Sequence, residues 1–235
     1  NLINGDWYEV APEYPYDAMK GNCAYPSQAP TSYHTYDGII YAQGFIYVWG
    51  TPGYASTDYC WGNGTWKWDL AKRTWKRMPF SGGYASAYDQ RRNLIYYYNG
   101  KDRWTTVNPV DDSFTDRPKS GWLREHMNMV YDKTRDMMWL TDNGGTLYRV
   151  TVNGGMTKVK SPFKDKTLQM AGMDLGPDGN LYFWKGGSRV ISFHPDTGEW
   201  SDISGNRPDK GDRKIFSKWK FVDHLGVFVG ISTFY

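Results

Sequence analysis

The feature that most constrains this chain is a repeat of about forty residues, best seen between Met173 and Ile203. There the runs Met173-Asp-Leu175, Leu181-Tyr-Phe-Trp184, Arg189-Val-Ile-Ser-Phe193 and Trp200-Ser-Asp-Ile203 are separated by Pro177-Asp-Gly-Asn180, Lys185-Gly-Gly-Ser188 and Asp196-Thr-Gly198. Gly, Asn and Asp tolerate the positive φ that tight hairpin turns require. β-Branched and aromatic residues suit a pleated surface. The unit therefore reads as four short antiparallel strands.

The same grammar recurs along the chain. Tyr88-Asp-Gln-Arg-Arg-Asn93 leads into Leu94-Ile-Tyr-Tyr-Tyr98, and Tyr131-Asp-Lys-Thr-Arg-Asp136 leads into Met137-Met-Trp-Leu140. Asp89, Asp132 and Asp174 stand 43 and 42 residues apart. An earlier copy carries Phe45-Ile-Tyr-Val-Trp-Gly50 and Trp66-Lys-Trp68, and a last one Trp219-Lys-Phe-Val-Asp223 and Val227-Phe-Val-Gly-Ile231. A fixed period of this length, with four strands per unit, predicts an all-β chain folded as a β-propeller. The spacing predicts one domain over 1–235 with five four-stranded blades, at 37–80, 81–121, 122–163, 164–207 and 208–235 plus 1–10. The last copy lacks an outer hairpin, whereas Asn4-Gly5 and Trp7-Tyr-Glu-Val10 have the pattern of one. The N- and C-terminal strands are therefore expected to close the last blade together, which would leave no free sheet edge. The alternative is that the chain is part of a longer propeller.

Composition narrows the partners. Lys and Arg total 28 against 25 Asp and Glu, a net charge of +3 scattered over single positions, which is too weak to suggest nucleic acid. No run approaches the roughly 18 apolar residues of a membrane-spanning helix. Cys23 and Cys60 are the only cysteines, each in a Gly-, Pro- and Tyr-rich stretch. As a pair they predict one disulfide, worth roughly 3–4 kcal/mol by chain entropy, and with it a secreted or surface location; the alternative is two separate thiols. No CxxC or HxxxH spacing is present, so neither a metal nor another cofactor is expected.

Trp66-Lys-Trp-Asp69 followed by Leu70-Ala-Lys-Arg-Thr-Trp75 resembles the outer hairpin of a kelch repeat: an aromatic-x-Asp, a short turn, then Trp. Phe193-His-Pro-Asp-Thr-Gly-Glu-Trp200 and Val107-Asn-Pro-Val-Asp-Asp-Ser-Phe114 have the same form. Phe45-Ile-Tyr-Val-Trp-Gly50 is similar to the second kelch strand, with the usual Gly-Gly reduced to Gly50-Thr51. Trp7-Tyr-Glu-Val10 and Gly21-Asn-Cys23 resemble the opening of galactose-oxidase-like propellers. The resemblance spans nearly the whole chain and implies the fold. Because such propellers serve as binding scaffolds, oxidases and lyases, it implies no single chemistry. The oxidase site would need a Tyr, a Cys-linked Tyr and two His. Of His34, His126, His194 and His224, the last two fall in turns, and both cysteines are assigned to the disulfide, so a copper site is not expected.

Function rests on position. Segments that enter the innermost strands of a propeller cluster at one mouth of its channel. Here they carry Tyr33, His34 and Tyr36 in one repeat and Trp122, Arg124, Glu125 and His126 in another. Aromatic faces, an Arg and acceptor groups suit stacking and hydrogen bonding to a ligand. The expected function is therefore a secreted or surface-located, non-catalytic binding module for a glycan or protein partner. One alternative is a structural or assembly component, such as part of a virus tail or extracellular filament. It would contact other copies of the chain as a homo-oligomer through the Tyr- and Pro-rich stretch 11–36. Another is a polysaccharide lyase or hydrolase, with the His, Tyr and Glu groups as acid and base and Arg124 against a uronate.

Overall fold

The computed structural model describes residues 37–49, 65–80, 83, 85–98, 103–118, 127–163, 167–206, 215–216 and 218–231, and residues 33–34 and 51–52 as strand backbone. Twenty strands are present among them. β1 (Tyr33–His34) pairs with β4 (Thr51–Pro52), a small ladder that the repeat pattern did not announce. The first four-stranded sheet comprises β2 (Ile39–Ala42), β3 (Phe45–Val48), β5 (Trp66–Asp69) and β6 (Thr74–Arg77). The second comprises β7 (Ala85–Asp89), β8 (Leu94–Tyr98), β9 (Arg103–Val107) and β10 (Phe114–Pro118), and the third β11 (Asn128–Asp132), β12 (Met137–Thr141), β13 (Leu147–Thr151) and β14 (Met156–Lys158). The fourth comprises β15 (Gly172–Leu175), β16 (Leu181–Trp184), β17 (Val190–His194) and β18 (Glu199–Asp202). β19 (Trp219–Val222) and β20 (Val227–Gly230) form a two-stranded sheet, joined through a short 3-10 turn at Asp223–Leu225. All pairing is antiparallel, each strand bonding to the next in its sheet. The first strands β2, β7, β11, β15 and β19 lie side by side in that order, so the sheets follow one another as the blades of a propeller do.

Local chemistry explains the hairpins. β2 and β3 are joined by Gln43-Gly44, both at positive φ (53° and 82°), the two-residue turn whose twist matches a hairpin. Asp89 and Asp132 build one and the same turn. Each Oδ1 accepts the N–H groups two and three residues on, and each Oδ2 accepts from the Arg three residues on, at 2.8 Å. The turn then leaves through a left-handed residue, Asn93 (φ 53°) or Asp136 (φ 54°). Asp69 caps the β5–β6 hairpin in the same manner.

Asp174 breaks this series, although its spacing puts it next in line. Asp132 pairs with Met137 across a four-residue turn, whereas the corresponding end pair in the fourth sheet is Leu175 with Leu181, across five. The extra residue places Asp174 one position inside the strand. It caps no hairpin there; its Oδ2 accepts the Phe221 N–H of β19 at 2.9 Å.

The core lies between sheets rather than within one. Tyr47, Trp49, Ile95 and Tyr97 pack between the first and second sheets. Tyr96, Trp104, Met129 and Leu140 fill the next gap, and Trp139, Leu168, Phe183 and Phe193 the third. Between the fourth and fifth the filling is aromatic: Trp219 stacks on Phe228 (4.7 Å, 6°), and Trp184 tilts against Trp219 (5.0 Å). Glycines permit that last approach. A Cβ on Gly172 would lie 2.4 Å from the Cβ of Trp219, and one on Gly230 would lie 2.3 Å from the Trp184 ring.

Polar staples join the same hairpin ends around the array. Gln43 donates to Tyr88 (2.9 Å) and Asn93 (3.1 Å), Arg92 to Asp136 (2.6 Å), and Arg135 to Asp196 (2.7 Å) and the Gly179 carbonyl (3.1 Å). The Arg92 guanidinium and the Tyr131 hydroxyl hold the Asp136 carboxyl well below the usual carboxylate range. A depressed carboxyl contributes stability at neutral pH that is lost on acidification.

Candidate functional site

Residues of all five first strands line a cavity of about 750 Å3. It runs from Ser86 and Met129, the second residues of β7 and β11, to the hairpins that end β11 and β15. Alternation along each strand decides what reaches it. In β19, Trp219 packs against the fourth sheet, and the intervening Lys220 lies on the cavity wall. Asp174 lies there too, between Met173 and Leu175, which face the third sheet.

Asp37, two residues before β2, lies behind the wall, bonded to two residues that line it. It is 2% exposed. Its Oδ2 accepts the Met129 N–H at 2.7 Å, and its carbonyl accepts the Ser86 hydroxyl at 2.7 Å. One residue thus ties the first sheet to the second and third. Burial pushes its carboxyl up to about 7, against the opposing pull of the Lys220 ammonium and the Met129 N–H. Lys220 is exposed on the cavity wall. Desolvation works against its charge, but the Asp174 and Asp37 carboxylates more than offset that, so its pKa is raised. The centre of the array therefore holds an ammonium, a carboxylate and a carboxyl that titrates near neutrality. Apolar wall comes from Ile40, Met129, Leu175 and Phe221.

The mouth is charged and mostly internally paired. Asp132 accepts from Arg135 (2.8 Å) and from Trp139 Nε1 (3.1 Å), and Asp178 accepts from Asn180 (2.7 Å) and Tyr182 (2.9 Å). Among the described residues, no group of three or more His, Cys, Asp or Glu could hold a metal ion.

The site residues singled out from the sequence are placed as follows. Tyr36, Trp122, Arg124, Glu125 and His126 lie outside the described residues, as do Cys23 and Cys60. Tyr33 and His34 are described only as backbone, paired with Pro52 and Thr51. His194 ends β17, where its Nδ1 accepts the Thr197 N–H at 3.3 Å, and His224 is exposed in the 3-10 turn. The sequence reading passed over Asp37, Asp174 and Lys220. A signal for the last two existed: each is a charge alternating with large apolar residues inside a first strand.

No protein-family model matches the chain, and no curated protein matches it in sequence. Solved structures match it in shape. A protein of unknown function from Bacteroides thetaiotaomicron aligns at 18% identity and TM-score 0.52, over 72% of this chain and 47% of its own. Virginiamycin B lyase from Staphylococcus aureus aligns at 14% identity and TM-score 0.51, over 77% of this chain and 64% of its own. An extracellular domain from B. thetaiotaomicron aligns at 16% and 0.53, over 83% and 26%. The chain spans less than two thirds of each, and about half of the first. At these identities the likeness establishes a β-propeller-like, all-β fold and nothing of chemistry. Among the described residues no helix is long and apolar enough to cross a membrane.

Proposed function

We propose that the chain is a glycan-binding propeller that takes its ligand into the central channel. The observation that carries this is the cavity of about 750 Å3, within the size range of small-ligand sites. Its wall combines apolar surface with a few fixed polar groups, Ser86, Asp174 and Lys220. Tyr33, His34, Tyr36, Trp122, Arg124, Glu125 and His126, which precede β2 and β11 in sequence, are proposed as further ligand contacts on the strength of the sequence alone. A screen of neutral and acidic saccharides tests the reading. Binding with the saccharide recovered intact supports it. Release of shortened or unsaturated products would make the chain a lyase or hydrolase instead, and binding to no saccharide would overturn the proposal.

The finer architecture is part of the same proposal: five kelch-like blades, with residues 1–10 completing the blade that β19 and β20 begin. Exposed apolar side chains on the first and last sheets support it. Ile39 (50% exposed) and Tyr41 (60%) in the first sheet, and Val227 (48%) and Ile231 (55%) at the other end, are apolar side chains that a closing element would cover. The electrostatic pull of Lys220 on Asp37 is consistent with the same reading. The greater length of the similar solved structures favours a second reading, a portion of a longer propeller. Deleting residues 1–10 separates the two. Closure predicts a melting temperature lowered by several degrees, and an unchanged melting curve favours the longer ring.

A further inference from the structure

Resting on the proposed glycan site, we infer that Lys220 anchors a carboxylate, so that the ligand is an acidic saccharide bearing a single uronate. The argument concerns which charges the frame has already used. Both Asp174 oxygens accept backbone N–H groups, from Leu175 (3.0 Å) and Phe221 (2.9 Å). Asp37 Oδ2 accepts from Met129, Asp132 and Asp196 are held by Arg135, and Asp178 by Asn180 and Tyr182. Lys220 makes no hydrogen bond or ion pair with any described residue; Asp37 and Asp174 act on it only through space. An ammonium held in a channel without a direct partner is the group an incoming anion can use, and a charge-assisted hydrogen bond there is stronger than a neutral one.

The neighbours of that ammonium limit the ligand. Asp174 on β15 and Asp37 before β2 act on it, β20 brings no charged side chain, and Asp132, Asp178, Asp196 and Asp223 stand on the wall towards the mouth with two cations, Lys133 and Arg135. Four carboxylates against two cations leave that wall net negative, which disfavours a polyanion, whereas sugar hydroxyls can donate to the carboxylates. One carboxylate at the inner end, with neutral sugar outside it, fits the distribution. Asp37 adds a proton linkage. Its ionised form opposes a bound carboxylate, so affinity rises as pH falls from 8 to 6 and Asp37 takes up its proton.

Titration calorimetry with a uronic-acid-terminated oligosaccharide, its neutral counterpart and an N-acetylated dipeptide acid tests this. The parent is expected to prefer the uronate, and Lys220→Gln to weaken it roughly tenfold or more while still unfolding in one cooperative transition. Asp37→Asn is expected to abolish the pH dependence of affinity between 6 and 8. Binding of the neutral saccharide by the parent as tightly as the uronate, or undiminished uronate binding by Lys220→Gln, would overturn the carboxylate assignment and leave the glycan module standing. Lys220-dependent binding of the peptide acid alone would overturn the glycan source. Loss of all saccharide binding in the parent would overturn the underlying reading as well.

Discussion

Phe183→Ala is expected to lower stability by about 3–5 kcal/mol, the usual cost of deleting a fully buried aromatic ring. Phe183 is 0% exposed. It sits mid-sheet in β16, pairing with Met173 on one side and Ile191 on the other. Its ring stacks on Trp200 at 5.7 Å and belongs to the cluster with Trp139 and Phe193 that joins the third and fourth sheets. Neighbours held by two strand ladders cannot collapse into the space, so the cavity persists. For a chain of this size each kcal/mol moves Tm by roughly 2–4 °C. Thermal unfolding followed by circular dichroism should show a drop of about 6–20 °C. Val110→Ala, at an exposed turn position, serves as the contrast and should stay within about 1 kcal/mol of the parent. A comparably small loss in Phe183→Ala would mean that the two sheets do not share a core.

The second expected result has the opposite sign. Asp37→Asn should gain stability relative to the parent as pH rises. The folded-state pKa of about 7 lies above the ordinary carboxyl value of 3.8 that the unfolded chain keeps. Between those values the folded chain holds a proton that the unfolded chain has released, so the parent loses stability as pH climbs through that window. The full shift corresponds to about 4 kcal/mol, of which about 3 kcal/mol falls between pH 5 and 8. Asn keeps an acceptor for the Met129 N–H and cannot ionise. The Tm gap between variant and parent should therefore widen by roughly 6–12 °C from pH 5 to pH 8. A gap that does not change with pH would show that Asp37 does not titrate there. A buried carboxyl retained at such a cost is a frequent mark of a functional centre. The variant that relieves the cost is also the one expected to remove the proton linkage of ligand binding.

The sequence by itself determined the strands, their four-by-four grouping and the hairpins between them, because those depend on neighbours within a few residues. The turns of Asp89 and Asp132 are one hydrogen-bond pattern closed within five residues, and the shared spelling Tyr-Asp-x-x-Arg announces it. Asp174 marks the limit. Spacings of 43 and 42 look equivalent in a periodic reading, yet side chains in a strand alternate with a period of two, so one residue decides which face a carboxylate takes. Register, and not spacing, sent Asp174 to the channel. The central site belongs wholly to the tertiary structure. Asp37, Asp174 and Lys220 come from three separate repeats and meet only because the first strands of successive sheets are set side by side. The shift of Asp37 depends on burial and on charges brought from those distant repeats, which no local pattern encodes.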